Sequence, residues 1–176
     1  MSEIFLTSCI GLDHDLVILD HFCNHYINLG VDPNNFILVL NSFEKSKISR
    51  NLKEACSILQ NYGIEPTDVW LERYESEEKW KRVDACLTKK VKKDDWVIHP
   101  DADEFHELVN YNSYENFFNS LKDTDVNAGQ GIQVDRLSQN YVIPNTVEKN
   151  TNIFDQFPNI ANMSTLIGTA GHKLMF

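Results

Sequence analysis

Apolar positions along the chain fall into two alternating kinds of run. Glu3 to Cys9 is a short apolar run that predicts a first strand. Leu16, Leu19, Phe22, Cys23, Tyr26 and Ile27 then recur at helical spacing, with Asp13 as the expected cap and Gly30 as the expected stop. Phe36 to Leu40 is unbroken, as expected of a strand covered on both faces. A second helical stripe follows at Leu52, Ala55, Cys56, Leu59 and Tyr62, closed by Gly63. Asp68 to Tyr74 predicts a third strand. A third helix is expected to begin near Ser76, with Glu77 and Glu78 in its first turn and Lys89, Lys90, Lys92 and Lys93 at its end, complementing the helix dipole. Its expected apolar face is Trp80, Val83, Leu87 and Val91. Trp96 to His99 predicts a fourth strand.

This order of strand and helix implies an α/β fold with a mostly parallel sheet and helices on both faces. Ligands of such sheets bind outside the carboxyl ends of the strands. Beyond the fourth strand the pattern weakens. Tyr114, Phe117, Phe118 and Leu121 predict a short helix with Ser113 as cap. Gly129 to Leu137 predicts a strand, residues 138–162 a long loop rich in Asn, Gln and Pro, and Ile167 to Phe176 the start of a last strand. The chain stops on Lys173-Leu174-Met175-Phe176, so the expectation is a single domain over residues 1–176 that lacks its C-terminal part.

Length and charge narrow the function classes. The 176 residues fit one compact domain and suffice for a core without disulfide or metal staples. A formal net charge of −10 argues against a nucleic-acid partner, which calls for a basic surface. No segment approaches the roughly 18 to 20 apolar residues of a membrane span. The first residues lack a basic region followed by a long apolar one, so a cytoplasmic location is expected. Cys9, Cys23, Cys56 and Cys86 form no C-x-x-C pair and read as small buried hydrophobes in a reducing compartment.

The strongest chemical signal is Asp-Asp-Trp-Val-Ile-His-Pro-Asp-Ala-Asp-Glu-Phe, from Asp94 to Phe105. In an extended segment residues i and i+2 point the same way, so Asp101 and Asp103 can converge on one divalent cation. Two hard carboxylates that leave coordination positions open suit Mg²⁺ or Mn²⁺ bridging a diphosphate. Glu104 points the other way and is expected to orient a neighbour. The plain alternative is a solvated acidic turn after a strand, but this pair follows a buried strand at the binding edge of the sheet. An EF-hand loop starting at Asp101 requires Gly and Glu where His106 and Asn112 stand. A nucleophilic Asp-x-Asp of the phosphatase type follows the first strand, not the fourth. No P-loop and no G-x-G-x-x-G is present.

The order of elements together with Trp96-Val-Ile-His-Pro-Asp-Ala-Asp-Glu-Phe105 resembles glycosyltransferases of the GT-A fold, nearest to the family 2-like and family 92-like groups. His25-Tyr26-Ile27-Asn28-Leu29-Gly30-Val31-Asp32 is similar to their "H…LGV" stretch. Val134-Asp135-Arg136 and Gln156-Phe157-Pro158 also look like pieces of these groups, so the resemblance runs from Ile4 to Phe176. It implies a three-layer, Rossmann-like GT-A domain that transfers a sugar from a nucleoside-diphosphate sugar to a glycan or other acceptor. Asp101 and Asp103 would hold the Mn²⁺ or Mg²⁺, and Asp101 would also touch the donor. Thr7 to Gly11, Thr7 and Cys9 among them, would lie against the nucleoside, with Asn41 and Ser42 lining the same pocket.

The resemblance further implies a basic residue approaching the donor from the helix before the Asp-x-Asp strand. Lys79 and Arg82 are the candidates, and Arg82 is preferred because its fork grips phosphate bidentately. An ordinary solvated helix face is the competing reading of both. A histidine often completes the metal site in these families, and His172 is the one histidine in that region.

An inverting transfer needs a base near the acceptor hydroxyl, for which Asp135 is the candidate; an ion pair with Arg136 is the competing reading. His21 and His25 are four apart on a helix, but their neighbours Phe22 and Tyr26 favour partly buried histidines over a metal pair. Trp70, Trp80 and Trp96 are expected in the core, with sugar stacking as the competing role of tryptophan, and His106 is expected at the surface, with contact to the metal as its competing reading.

Two other functions compete: a nucleotide-sugar-binding or interaction module of the same fold without turnover, and a nucleotidyltransferase. The latter generally carries a Gly-rich basic loop after the first strand, where this chain has Ser8-Cys9-Ile10-Gly11-Leu12-Asp13-His14-Asp15. An open sheet edge leaves room for a second copy of the chain.

Overall fold

A computed structural model describes residues 2–140, 146–161 and 172–175. The chain divides into two compact units, Met1–Asp125 and Val126–Phe176.

In the first unit, β1 (Ile4–Gly11), β2 (Phe36–Asn41), β3 (Asp68–Trp70) and β4 (Trp96–Ile98) form a parallel sheet in the order β3-β2-β1-β4. This is a Rossmann-like α/β arrangement. β1 and β2 are central and nearly continuously buried, which is why their sequences read as unbroken apolar runs rather than alternating ones. The register sets Cys9 opposite Val39 and Gly11 opposite Asn41. On the other side Leu6 stands opposite Ile98.

The two faces of the sheet are covered differently. Leu6 and Ile10 of β1 and Phe36, Leu38 and Leu40 of β2 pack under α1 (Leu19–Asn28), α2 (Ile48–Asn61) and α4 (Tyr114–Asn119). The alternate residues Phe5, Cys9, Ile37 and Val39 face α3 (Ser76–Lys90), which contributes Val83, Cys86 and Leu87. Period-2 alternation in the strands thus supplies two cores from one sheet.

Helix stops fall where the sequence places them. Gly30 and Gly63 take φ values of 92° and 71°, the left-handed conformation that ends a helix and that a β-carbon resists. The Ser113 hydroxyl accepts from the Asn116 N–H and caps α4.

Several expectations are corrected. Asp13 does not cap α1; its carboxylate instead reaches the segment after β2. The third strand ends at Trp70 rather than Tyr74, because β2 has no residue left to pair with. The Asn41 amide takes over there, donating to the carbonyls of Trp70 and Glu72 at 3.0 and 2.9 Å. On α3 the buried stripe is Lys79, Val83 and Cys86. Trp80, expected in the core, is 53% exposed while Lys79 is 8% exposed, so the helix is turned by about one residue from the expected face. Cys56, also expected to be buried, faces solvent; all four cysteines are free thiols.

In the second unit β5 (Gly129–Ile132) and β6 (Asp135–Leu137) replace the single strand expected over 129–137, because each has its own antiparallel partner. β7 (Asn159–Ala161) pairs with β6, and β8 (His172–Met175) with β5. The stretch expected as loop also holds a helical turn, α5 (Ile153–Gln156), capped by the Asn152 side chain. The rest of the last strand expected over 167–176 lies outside the described residues. No helix among the described residues is long and apolar enough to cross a membrane.

Candidate functional site

The sheet order creates one special position on its carboxyl edge. From β1 the chain moves to β2 and β3 on one side and later returns to β4 on the other. The strand order therefore reverses between β1 and β4, and the crevice outside such a reversal is where open α/β sheets take ligands. A cavity of about 430 Å³ lies there. Cys9, Gly11, Asp13, His14 and Asp15 line it from the exit of β1, Asn41 and Phe43 from β2, Tyr74 from the segment after β3, Lys79 from α3, and Asp101, Ala102 and Asp103 from the exit of β4.

The Asp-x-Asp segment is held from below. The Ser8 hydroxyl, fully buried in β1, donates to the Pro100 carbonyl at 2.9 Å. Ala102 is buried in the core, and the chain here is a turn closed by the Glu104 N–H on the Asp101 carbonyl rather than the extended segment expected; Asp101, Ala102 and Asp103 all line the cavity. Glu104 orients its neighbour as expected: its Oε2 accepts from the Asp101 N–H at 2.9 Å while the Asp101 carbonyl accepts from the Glu104 N–H at 3.0 Å. This reciprocal pair works like a capping box. Behind it, the Tyr26 hydroxyl donates to the Glu104 carbonyl and accepts from the His106 N–H. His106 Nδ1 lies 2.6 Å from the Tyr114 hydroxyl, and His25 Nε2 lies 2.9 Å from the His106 carbonyl. His25 and His106 are thus part of a half-buried scaffold behind the acidic loop. Burial pushes the His25 pKa down.

Charge around the cavity is unbalanced. Four carboxylates line it, from Asp13, Asp15, Asp101 and Asp103, against the single ammonium of Lys79. Lys79 Nζ sits 2.9 Å from Asp101 Oδ1, its side chain 10% exposed and that of Asp101 49% exposed. Asp15 accepts from the Gly11 N–H at 2.9 Å. Its pKa is nonetheless raised, first by burial and then by the negative charges of Asp103 and Asp101. A β-carbon on Gly11 would stand 3.1 Å from Asp15 Oδ2, so glycine there gives Asp15 its room. Asp13 is the opposite case. Desolvation opposes its charge, but hydrogen bonds from the Phe43 N–H, the Ser42 hydroxyl, the Glu44 N–H and the Asn51 amide outweigh it and hold its pKa low.

The expected site residues divide into two groups. Cys9, Asn41, Asp101 and Asp103 line the cavity. Burial pushes the Cys9 thiol up to about 11, against a smaller opposing effect of the Lys79 charge. Asn41 spends its amide donors on the chain leaving β3. Thr7 is buried within β1 and lies outside the cavity lining, as does Ser42, whose hydroxyl is tied to Asp13. Arg82 also lies outside it. Its Nη1 meets Asp68 Oδ2 and its Nε meets Glu78 Oε1, both at 2.8 Å, and its guanidinium lies over Trp70. Lys79, the less favoured basic candidate, is the one that reaches the cavity. The signal for it was present: Lys79, Val83 and Cys86 stand at i, i+4 and i+7 on one helical face. Asp13 and Asp15 also repeat after β1 the i, i+2 carboxylate spacing found after β4.

Asp135 lies on β6 in the second unit, exposed, opposite Ala161. Its neighbour Arg136 donates to the Phe157 carbonyl at 3.2 Å and lies over the Phe154 ring. The side chain of His172 is not described.

The donor set at the cavity is chemically suited to a hard divalent cation. Asp101 and Asp103 offer carboxylate oxygens, and Asp15 lines the same cavity, its pKa raised first by burial and then by their charges. No cluster of three or more His, Cys, Asp or Glu side chains placed to hold a metal occurs among the described residues. Two carboxylates, with phosphate oxygens and water as the other ligands, is the usual protein share of a Mg²⁺ site.

Comparison of the chain with protein-family models and with curated proteins found no match.

Proposed function

We propose that the cavity at the carboxyl edge is the donor site of a metal-dependent glycosyltransferase of the GT-A type, taking a nucleoside-diphosphate sugar. The observation that carries the reading is the position of the Asp-x-Asp pair at the reversal of strand order between β1 and β4, beside a buried lysine and open to a cavity of about 430 Å³. The exits of β1 and β2, with Cys9, Asn41 and the exposed ring of Phe43, offer a wall for the nucleoside. Asp101 and Asp103 would hold Mn²⁺ or Mg²⁺ against the diphosphate, and that ion supplies stabilisation of the charge that develops on a departing diphosphate. Lys79 adds a positive charge at the same place. A cytoplasmic location belongs to the same reading. A module that binds the donor without transferring the sugar would use the same residues; release of free nucleoside diphosphate from the donor separates the two.

The test is a thermal-shift series with UDP, GDP, CDP and dTDP, each with and without Mn²⁺, on the native chain and on Asp103→Ala. A ligand at about 100 times its dissociation constant adds roughly 2.7 kcal/mol. For a chain of this size that is a rise of roughly 5 to 10 °C. One nucleotide should give that rise only with Mn²⁺, and Asp103→Ala should abolish it. No shift with any nucleotide overturns the reading.

A further inference from the structure

Lys79 is an unusual residue to find where it stands. A lysine is rarely fully buried unless paired, and here the pairing is with the very carboxylate the donor site needs. The stem of Lys79 lies on the buried stripe of α3 with Val83 and Cys86, so its root is fixed. Its ammonium lies 5.1 Å from the centroid of the exposed Trp80 ring and 2.9 Å from Asp101 Oδ1. Asp101 is anchored through its backbone by Glu104 and through Pro100 by Ser8. Both ends of the ion pair are therefore built on fixed backbone, while the charged groups meet at the cavity.

This arrangement has a consequence for loading. A divalent cation arriving alone meets a carboxylate that already has a counter-ion, and it meets a repelling positive charge 2.9 Å away from that carboxylate. A diphosphate arriving alone meets four carboxylates against one ammonium. Each is disfavoured alone, and each removes the other's obstacle. The phosphate gives Lys79 a second anion, and the cation neutralises Asp101 and Asp103.

Resting on the donor-site reading, we infer that Lys79 is the resident counter-ion of Asp101 and a gate on cation loading. It competes with the divalent cation for Asp101 until a diphosphate draws the ammonium away, so that cation and diphosphate bind with positive coupling. Lys79 is a positioning residue in this role, and the coupling is reciprocal.

The test measures Mn²⁺ binding by the loss of free-ion EPR signal, with Mn²⁺ alone and with saturating UDP, or whichever nucleotide the thermal series selects. The chains are native, Lys79→Met, Lys79→Gln and the control Lys81→Met, whose ammonium pairs with Glu77 on the exposed face of α3. In the native chain the nucleotide should tighten Mn²⁺ by roughly tenfold or more, a typical coupling. Both Lys79 variants should bind Mn²⁺ alone several-fold tighter than the native chain, bind nucleotide with Mn²⁺ more weakly, and so lose most of the coupling; Lys81→Met should match the native chain. A purely structural lysine would weaken both kinds of binding when replaced. Unchanged or weaker binding of Mn²⁺ alone in a folded Lys79 variant overturns the gate and leaves the donor site standing. Absence of coupling in the native chain overturns the gate without recourse to any variant. Absence of Mn²⁺ and nucleotide binding in every chain overturns the donor-site reading itself.

Discussion

Asp13 and Asp15 are two residues apart after β1, line the same cavity and meet opposite electrostatic fates. Asp13 turns toward the exit of β2 and collects hydrogen bonds from Ser42, Phe43, Glu44 and Asn51, at 2.9 to 3.3 Å. Asp15 turns toward the exit of β4, accepts from Gly11, and faces the charges of Asp103 and Asp101. The first is an anion the fold has satisfied; it ties β1 to β2 and α2. The second is an anion held in a place that resists it. The difference teaches that a count of acidic residues at a sheet edge says little. What separates structural from ligand-directed carboxylates is whether the protein's own donors are aimed at them.

The sharpest break of this comparison is Asp13→Ala. It removes the acceptor of two backbone N–H groups, a buried hydroxyl and a buried amide. A hydrogen bond to a charged group is worth about 1.5 to 3 kcal/mol, and the four here act as one cluster. Asp13→Ala should therefore cost about 2 to 3 kcal/mol, read as a fall of roughly 5 to 10 °C in melting temperature. A loss under about 0.5 kcal/mol, the usual range of a surface substitution, would show that the cluster adds no stability.

Much of this was legible in the sequence, and what was not has identifiable causes. β1 and β2 read clearly because central parallel strands are apolar on both faces. The Asp-x-Asp pair read clearly as a segment at the sheet edge after a buried strand, but its turn did not, because that turn is closed by Glu104 rather than by strand pairing. The choice between Lys79 and Arg82 did not, because two cations three residues apart lie close on a helix surface. What decided it was tertiary. Asp68 and Glu78 take the Arg82 guanidinium, while the α3 face of the sheet turns Lys79 inward. The same rotation exposes Trp80, which packs against His99 with ring centroids 4.8 Å apart rather than entering the core. Asp13 read as a helix cap because capping residues and strand-bridging residues are the same types. Only the arrival of Ser42 and Asn51 from distant sequence distinguishes them.

The companion substitution, Asp15→Asn, should move stability the other way. The amide oxygen of Asn can still accept from the Gly11 N–H, so the turn after β1 keeps its bond. The charge, however, is gone from a half-buried place beside Asp101 and Asp103. Relief of such a charge typically gains on the order of 0.5 to 1 kcal/mol. The measurement is a urea midpoint at neutral pH with an unchanged slope. A destabilised Asp15→Asn would show that Asp15 is needed as an anion in the ligand-free chain, and the contrast with Asp13 would fail.

The smallest effect is also the most specific, because it separates the two residues by pH in one molecule. Asp15 has a folded pKa raised above its ordinary 3.8, so the folded chain takes up that proton before the unfolded chain does. As pH falls from neutrality through the raised pKa toward 3.8, this residue adds stability. Asp13 has a folded pKa lowered below 3.8, so its contribution is fully present above 3.8 and is lost as pH falls through the lowered value. In the difference between native and variant stability, Asp15→Asn should remove a rise on the weakly acidic side of 3.8. Asp13→Asn should remove a fall on the strongly acidic side. Urea midpoints taken every half unit across this range would show both. Difference curves in which the two variants act over the same interval would mean that the carboxylates titrate as one coupled group, and the division between a satisfied and an unsatisfied anion would not hold.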